Sequence, residues 1–218
     1  RAVSVARAAA IEGRQGQARA VGNSRGDDDA SRSAQTGQMA REWLYSSVVT
    51  SQSPKGVMPS LLVQQLATRH VGPIDLAVGS AECVCIRGAS GSGKTLLLRA
   101  IADLDPHRGD ALLDAASCSS MPAPEWRRAV ALVVADSQWW SERVGDHFDH
   151  GIDAGWMEQL GLPAAALDWE VARCSTGERQ RLALLRTLMQ QPAALLLDEP
   201  TGNLDQDSTR RVEALLDG

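Results

Sequence analysis

The sequence is marked first by what it lacks. No window holds the roughly 18 consecutive apolar residues that a bilayer-spanning helix needs, so any membrane role is expected to be peripheral. No basic segment followed by an apolar core occurs near the N-terminus, so no secretory signal is visible. Positive charge is not in excess: 22 Lys and Arg face 27 Asp and Glu, a net charge of −5 that argues against a general nucleic-acid binder. The four cysteines, Cys83, Cys85, Cys118 and Cys174, do not fall at disulfide-framework spacings, which suits a reduced, cytoplasmic protein. Cys83 and Cys85 lie in the strand-like run 82-ECVCIR-87, where a buried-core role is expected. Lysine is the scarcest basic residue: only Lys55 and Lys94 stand against twenty arginines.

What is present divides near Met58. Residues 1–57 hold one Leu, one Ile and no Phe, and carry eight basic against five acidic residues; residues 58–218 carry fourteen against twenty-two. A leader so poor in apolar side chains cannot offset its chain entropy, and disorder is expected over 1–57. The chain opens with Arg, and 58-MPSLLVQQL-66 reads as a start followed by a first strand. The leader is therefore expected to be upstream sequence rather than part of the natural product. Beyond it, strand patterns at 61–68, 73–78, 82–87, 109–114, 130–135 and 193–198 are interspersed with helix patterns at 94–104, 143–150, 164–172, 177–191 and 206–216. Such alternation predicts an α/β domain with a mostly parallel sheet.

The first chemical signal is 88-GASGSGKT-95, a match to G-x-x-x-x-G-K-[ST] between a predicted strand and a predicted helix. Gly88, Gly91 and Gly93 allow a tight turn that aims backbone N–H groups inward at a helix N-terminus. Lys94 is placed to reach the β- and γ-phosphates, and the Thr95 hydroxyl to ligate Mg²⁺. Lysine at this position of an Arg-biased chain suits a need for a compact ammonium charge. Gly88, Ser90, Gly91, Ser92, Gly93, Lys94 and Thr95 form the candidate nucleotide-binding set. The second signal is 193-AALLLDE-199, a buried-strand pattern that delivers Asp198 and Glu199 to the sheet edge where α/β folds bind ligands. Asp198 suits Mg²⁺, and Glu199 is placed to polarise an attacking water.

The third signal lies between them, in 174-CSTGERQRLALLRTLMQQPAALLLDEPT-201. With the phosphate loop and the carboxylate pair it resembles the ATPase subunit of an ATP-binding cassette (ABC) transporter, over about residues 60–218. The resemblance implies a P-loop NTPase fold: a mostly parallel sheet, an N-terminal antiparallel β portion and a short helical subdomain at about 137–173. It implies a signature at 175-STGE-178, whose Ser175 and Gly177 clasp the γ-phosphate on the opposite subunit. A dimer-contact loop at 202-GNLD-205, with Asp205 its acidic member, is implied as well. The implied function is binding and hydrolysis of ATP with Mg²⁺, in a homodimer or paired with a second cassette. The implied partner is a transmembrane permease subunit, no nucleic acid is expected, and the place is the inner face of the cell membrane.

The chain departs from the family pattern at several points. No Phe, Tyr or Trp lies between Tyr45 and Lys94 to stack on adenine. His70 has a suitable spacing, and a loop histidine without a role is the equal alternative. Where the family places a Gln after the strand matching 130-VALVVA-135, this chain offers Ala135, Asp136 or, further on, Gln138. Trp139 and Trp140 are candidates for docking a membrane subunit or for the core. His147 and His150 read as a solvated helix face rather than a metal pair. The family's switch histidine and the strand before it do not follow 206-QDSTRRVEALLDG-218, so a C-terminally incomplete domain is expected. Two further classes stand beside the transporter reading: a soluble, non-transport ABC ATPase, and a nucleotide-binding fragment without turnover.

Overall fold

A computed structural model describes residues 6–12, 48–49, 61–148, 152 and 154–217. Its strands are β1 (Ala6–Glu12), β2 (Val48–Val49), β3 (Leu61–Ala67), β4 (Ile74–Val78), β5 (Cys83–Gly88), β6 (Arg108–Leu113), β7 (Ala116–Ser117), β8 (Val130–Val133) and β9 (Ala194–Asp198). Its helices are α1 (Lys94–Ile101), α2 (Ala123–Ala129), α3 (Ala154–Gln159), α4 (Thr176–Leu188) and α5 (Gln206–Asp217).

The strands form two sheets. One is antiparallel, ordered β4-β3-β6-β7. The other is ordered β2-β5-β1-β9-β8 and is parallel except for the β2–β5 pair. The expected α/β architecture with an added antiparallel β portion is therefore present. Strand β9 reads ALLLD and is buried at all five positions, as a strand covered on both faces must be. Strand β5 alternates instead: Val84 and Ile86 enter the core, while Cys83 is exposed and Cys85 half-buried. The expected burial of these two cysteines is thus corrected; the period of two in this strand gives the core face to the β-branched residues Val84 and Ile86.

Part of the leader also departs from expectation. Residues 6–12 and 48–49 are strands, and they flank β5 on its two sides. Strand β1 runs parallel to both β5 and β9, with Glu12 opposite Gly88 and Ala10 opposite Asp198. Backbone pairing accounts for a strand in so alanine-rich a stretch, since a strand between two others satisfies its N–H and C=O groups on both sides. The rest of the leader lies outside the described residues.

The core has two parts. One packs α1 and Trp126 of α2 beneath the β-rich portion, with the Trp126 indole N–H donating to the Ile101 carbonyl at 2.9 Å. The other gathers Val144, Met157, Leu160, Leu162 and Ala166 against Leu182 and Leu185 of α4. The helix expected at 143–150 is only a 3₁₀ turn, Gly145–His147, and that at 164–172 is two 3₁₀ turns, Ala164–Asp168 and Val171–Arg173. These turns are stitched laterally: Val144 N–H donates to the Trp169 carbonyl at 2.9 Å, and Val171 N–H to the Glu142 carbonyl at 2.7 Å. Lateral bonds take the backbone groups a continuous helix would use internally.

Candidate nucleotide site

Strand β5 ends at Gly88 and α1 begins at Lys94, so the phosphate loop spans the strand-to-helix turn. Gly91 and Gly93 stand at φ +75° and +93°, a region open to glycine and costly for other residues. Gly93 is the N-cap of α1, no side chain caps that end, and the first turn contains no acidic residue. Its N–H groups are therefore not blocked by a local carboxylate. Lys94 is 6% exposed, and its ammonium donates to the carbonyls of Gly88 and Ala89 at 3.1 and 3.2 Å. The buried Ser92 hydroxyl oxygen makes no hydrogen bond. Ser90 and Gly91 are exposed at the loop tip.

The loop meets the carboxylate strand directly. Thr95 Oγ1 donates to Asp198 Oδ2 at 2.8 Å, across 103 positions of sequence. Glu199 follows Asp198, half-buried and with φ +49°. Its carbonyl accepts from Gly202 N–H at 3.1 Å, closing the turn, and from Gln180 Nε2 at 3.0 Å. A hydroxyl and a carboxylate are hard oxygen donors suited to Mg²⁺, an ion that takes few protein ligands and completes its shell with phosphate and water. Among the described residues no group of three or more His, Cys, Asp or Glu is placed to hold a metal.

The signature segment opens α4 with a capping box. Ser175 Oγ accepts from Glu178 N–H at 3.2 Å, and Glu178 Oε2 accepts from Ser175 N–H at 2.8 Å. That backbone bond from Ser175, ahead of any charge effect, holds the Glu178 carboxyl below its ordinary range. Ser175 and Thr176 are exposed, and a Cβ added to Gly177 would lie 3.3 Å from Leu204 Cδ2. The start of α4 is thus packed on the 202–205 loop. In that loop Asp205 caps the N-terminus of α5. Its Oδ1 accepts from Ser208 N–H at 2.8 Å and its Oδ2 from Ser208 Oγ at 2.9 Å. The backbone donor of Ser208 lowers the Asp205 carboxyl's pKa.

The remaining candidates separate. His70 is exposed in the β3–β4 turn, while its neighbour Val71 is buried against Gly93. Asp136 and Gln138 are both exposed. The Gln138 backbone carbonyl accepts from Arg186 at 3.1 Å. The Arg186 guanidinium lies over both tryptophan rings, 4.7 Å from Trp139 and 4.8 Å from Trp140. Burial pushes its pKa down. Trp140 is 71% exposed, whereas Trp139 is half-buried and packs on the second core cluster. His147 is not a solvated side chain: it is buried, and its Nε2 accepts from Trp140 and Ser141 N–H, both at 3.0 Å. His150 lies outside the described residues. Val71 and Gln180 were not among the residues expected from the sequence, and both are buried.

The model of the family described as ABC transporter matches residues 71–202. The chain belongs to the ABC transporter family. It is 40% identical over 154 residues to the Fe(3+) ions import ATP-binding protein FbpC of Streptomyces avermitilis, covering 64% of this chain and 44% of that protein. It is 37% identical over 156 residues to the aliphatic sulfonates import ATP-binding protein SsuB 2 of Pseudomonas aeruginosa, covering 66% and 54%. The chain thus spans about half the length of the curated relatives it matches. Among solved structures, a bacterial Atm1-family ABC exporter with ATP bound superposes with a TM-score of 0.56 at 21% identity, covering 77% of this chain and 35% of that one. That likeness concerns the fold. Segments 88–95 and 174–178 and the pair Asp198 and Glu199 all lie inside the matched region of this ABC transporter family member. Among the described residues, no helix is long and apolar enough to cross a membrane.

Proposed function

We propose that the chain is the ATP-binding and hydrolysing part of an ABC transporter subunit, with a helical subdomain at about 137–173 and with β1 completing the sheet between β5 and β9. The observation that carries this reading is the Thr95–Asp198 bond, which joins the phosphate loop to the carboxylate strand at one sheet edge. The loop N–H groups and Lys94 would bind the phosphates and offset their charge. The unpartnered Ser92 hydroxyl supplies a further polar group in the cradle. Thr95 and Asp198 would hold Mg²⁺, which when bound neutralises developing negative charge on the phosphates. Glu199, held next to Asp198, would accept a proton from the attacking water.

Exposure of Ser175 and Thr176 supports presentation of the signature to a second cassette, with Ser175 and Gly177 acting in trans and Asp205 shaping the adjoining loop. The partner is a transmembrane permease subunit, and the place is the inner face of the cell membrane. The names of the import ATP-binding relatives support this assignment.

Titration with ATP tests the phosphate site: Lys94→Ala is expected to abolish binding. Glu199→Gln is expected to keep binding, lower turnover by about 10²-fold or more, and accumulate a dimer on sizing chromatography. Undiminished turnover in Glu199→Gln would remove Glu199 from the role of base. Binding without turnover in the unsubstituted chain would favour the nucleotide-binding fragment instead.

A further inference from the structure

Five polar side chains are buried among the described residues: Lys94, His147, Gln180, Asp198 and Ser208. Lys94 and Asp198 belong to the candidate site, Ser208 is engaged by Asp205, and both ring nitrogens of His147 are in hydrogen-bond contact. Gln180 differs. It is 3% exposed, its Nε2 donates to the Glu199 carbonyl at 3.0 Å, and its Oε1 has no hydrogen-bond partner. Burying an amide with one acceptor unsatisfied is costly, and an aliphatic side chain at this place in α4 would avoid the cost. The residue it holds is itself strained: Glu199 has φ +49°, in the left-handed region that non-glycine residues rarely occupy. Such strain persists only where surrounding contacts over-determine the backbone.

We propose that Gln180 is a positioning residue for Glu199, clamping its carbonyl so that the left-handed backbone aims the carboxylate at the water beside the γ-phosphate. The inference rests on the reading of Glu199 as the base. Two bonds converge on that carbonyl, from Gly202 N–H within the turn and from Gln180 across from α4. The first makes the turn; the second ties it to the helix that opens with the signature. A change at the start of α4 can therefore reach Glu199 through the Gln180 side chain, five residues after Ser175.

Three measurements on the full chain test this. Gln180→Met, near-isosteric and apolar, is expected to lower kcat about 10-fold to 100-fold with KM and ATP affinity within about twofold, because misplacing a catalytic group costs rate rather than binding. Gln180→Glu is expected to be slow at neutral pH, where a carboxylate cannot donate to a carbonyl. Its kcat relative to the unsubstituted chain should recover as the pH falls and the carboxyl becomes a donor. A side chain that merely fills space would give no such profile. Amide hydrogen exchange without nucleotide is expected to be faster at 201–203 in Gln180→Met, with β9 unchanged. If the unsubstituted chain neither binds nor hydrolyses ATP, the proposed function fails, and the exchange measurement alone decides whether Gln180 clamps the turn. If Gln180→Met does not fold, the pH profile of Gln180→Glu decides. Unchanged kcat and exchange in Gln180→Met, or a Gln180→Glu profile parallel to that of the unsubstituted chain, would overturn the proposal.

Discussion

At Gly93 two constraints meet in one residue. Its backbone stands at φ +93°, and a Cβ added there would lie 2.1 Å from Val71 Cγ2. Gly93→Ala is expected to lose about 1–3 kcal/mol of stability, measured by denaturant unfolding, and most ATP affinity. Val71→Ala would relieve the contact but not the backbone strain, so the double variant should recover stability only in part. The glycine spacing made the need for positive φ legible beforehand. Val71 was not legible, because the β3–β4 turn approaches the loop only in three dimensions. Asp198 and Glu199 were legible for the opposite reason: an apolar strand ending in two carboxylates can place them only at its C-terminal edge. Gln180 was hidden by its setting, since in sequence it is one polar letter in an amphipathic helix.

The elements with the strongest periodicity were legible to within a few residues. Helix α4 was expected at 177–191 and runs Thr176–Leu188; β9 was expected at 193–198 and runs Ala194–Asp198. What failed lies between β8 and α4, where 3₁₀ turns replace two expected helices because lateral pairing competes with internal bonding. Helix α2 was missed because Pro122 and Pro124 look like breakers, yet they stand at its N-terminus, where proline is tolerated. The cap of α4 supplies a test at this scale. Ser175→Ala is expected to destabilise the chain by about 1 kcal/mol, and Ser175→Thr, which keeps the hydroxyl, by less. Thermal unfolding separates the two. The Glu178 half of the box adds a pH dependence. Its folded-state pKa is depressed, so its stabilisation is full above the ordinary glutamate value of about 4.3 and is lost as the pH falls through the lower folded value. Glu178→Gln should flatten that part of an acid-unfolding curve.

For the whole molecule, the leader is the main surprise. Its composition reads as a segment unable to build a core, and that reading neglected that a strand can be recruited by the unpaired edges of others. Strand β5, which carries the phosphate loop, has β1 and β2 as its neighbours, and β1 is its link to β9. Removing residues 1–57 is expected to separate the phosphate-loop strand from the carboxylate strand, lowering both the unfolding midpoint and ATP affinity. Ala9→Pro, which deletes one donor from the middle of β1, should move both in the same direction by a smaller amount. If the shortened chain unfolds and binds as the full one does, β1 has no structural part in the site.

The placement of β1 also sets an order of events at the ribosome. Ala6 must pair with Ala194, and at typical rates of about 5–20 residues per second on the order of ten to forty seconds of synthesis separate the two. During that interval β1 can pair with β5 but has an open second edge, the kind of exposed strand that invites pairing with another nascent chain. The phosphate loop would thus wait for its carboxylates while the 103 positions from Thr95 to Asp198 are made, which makes the yield of folded chain sensitive to how quickly β9 emerges.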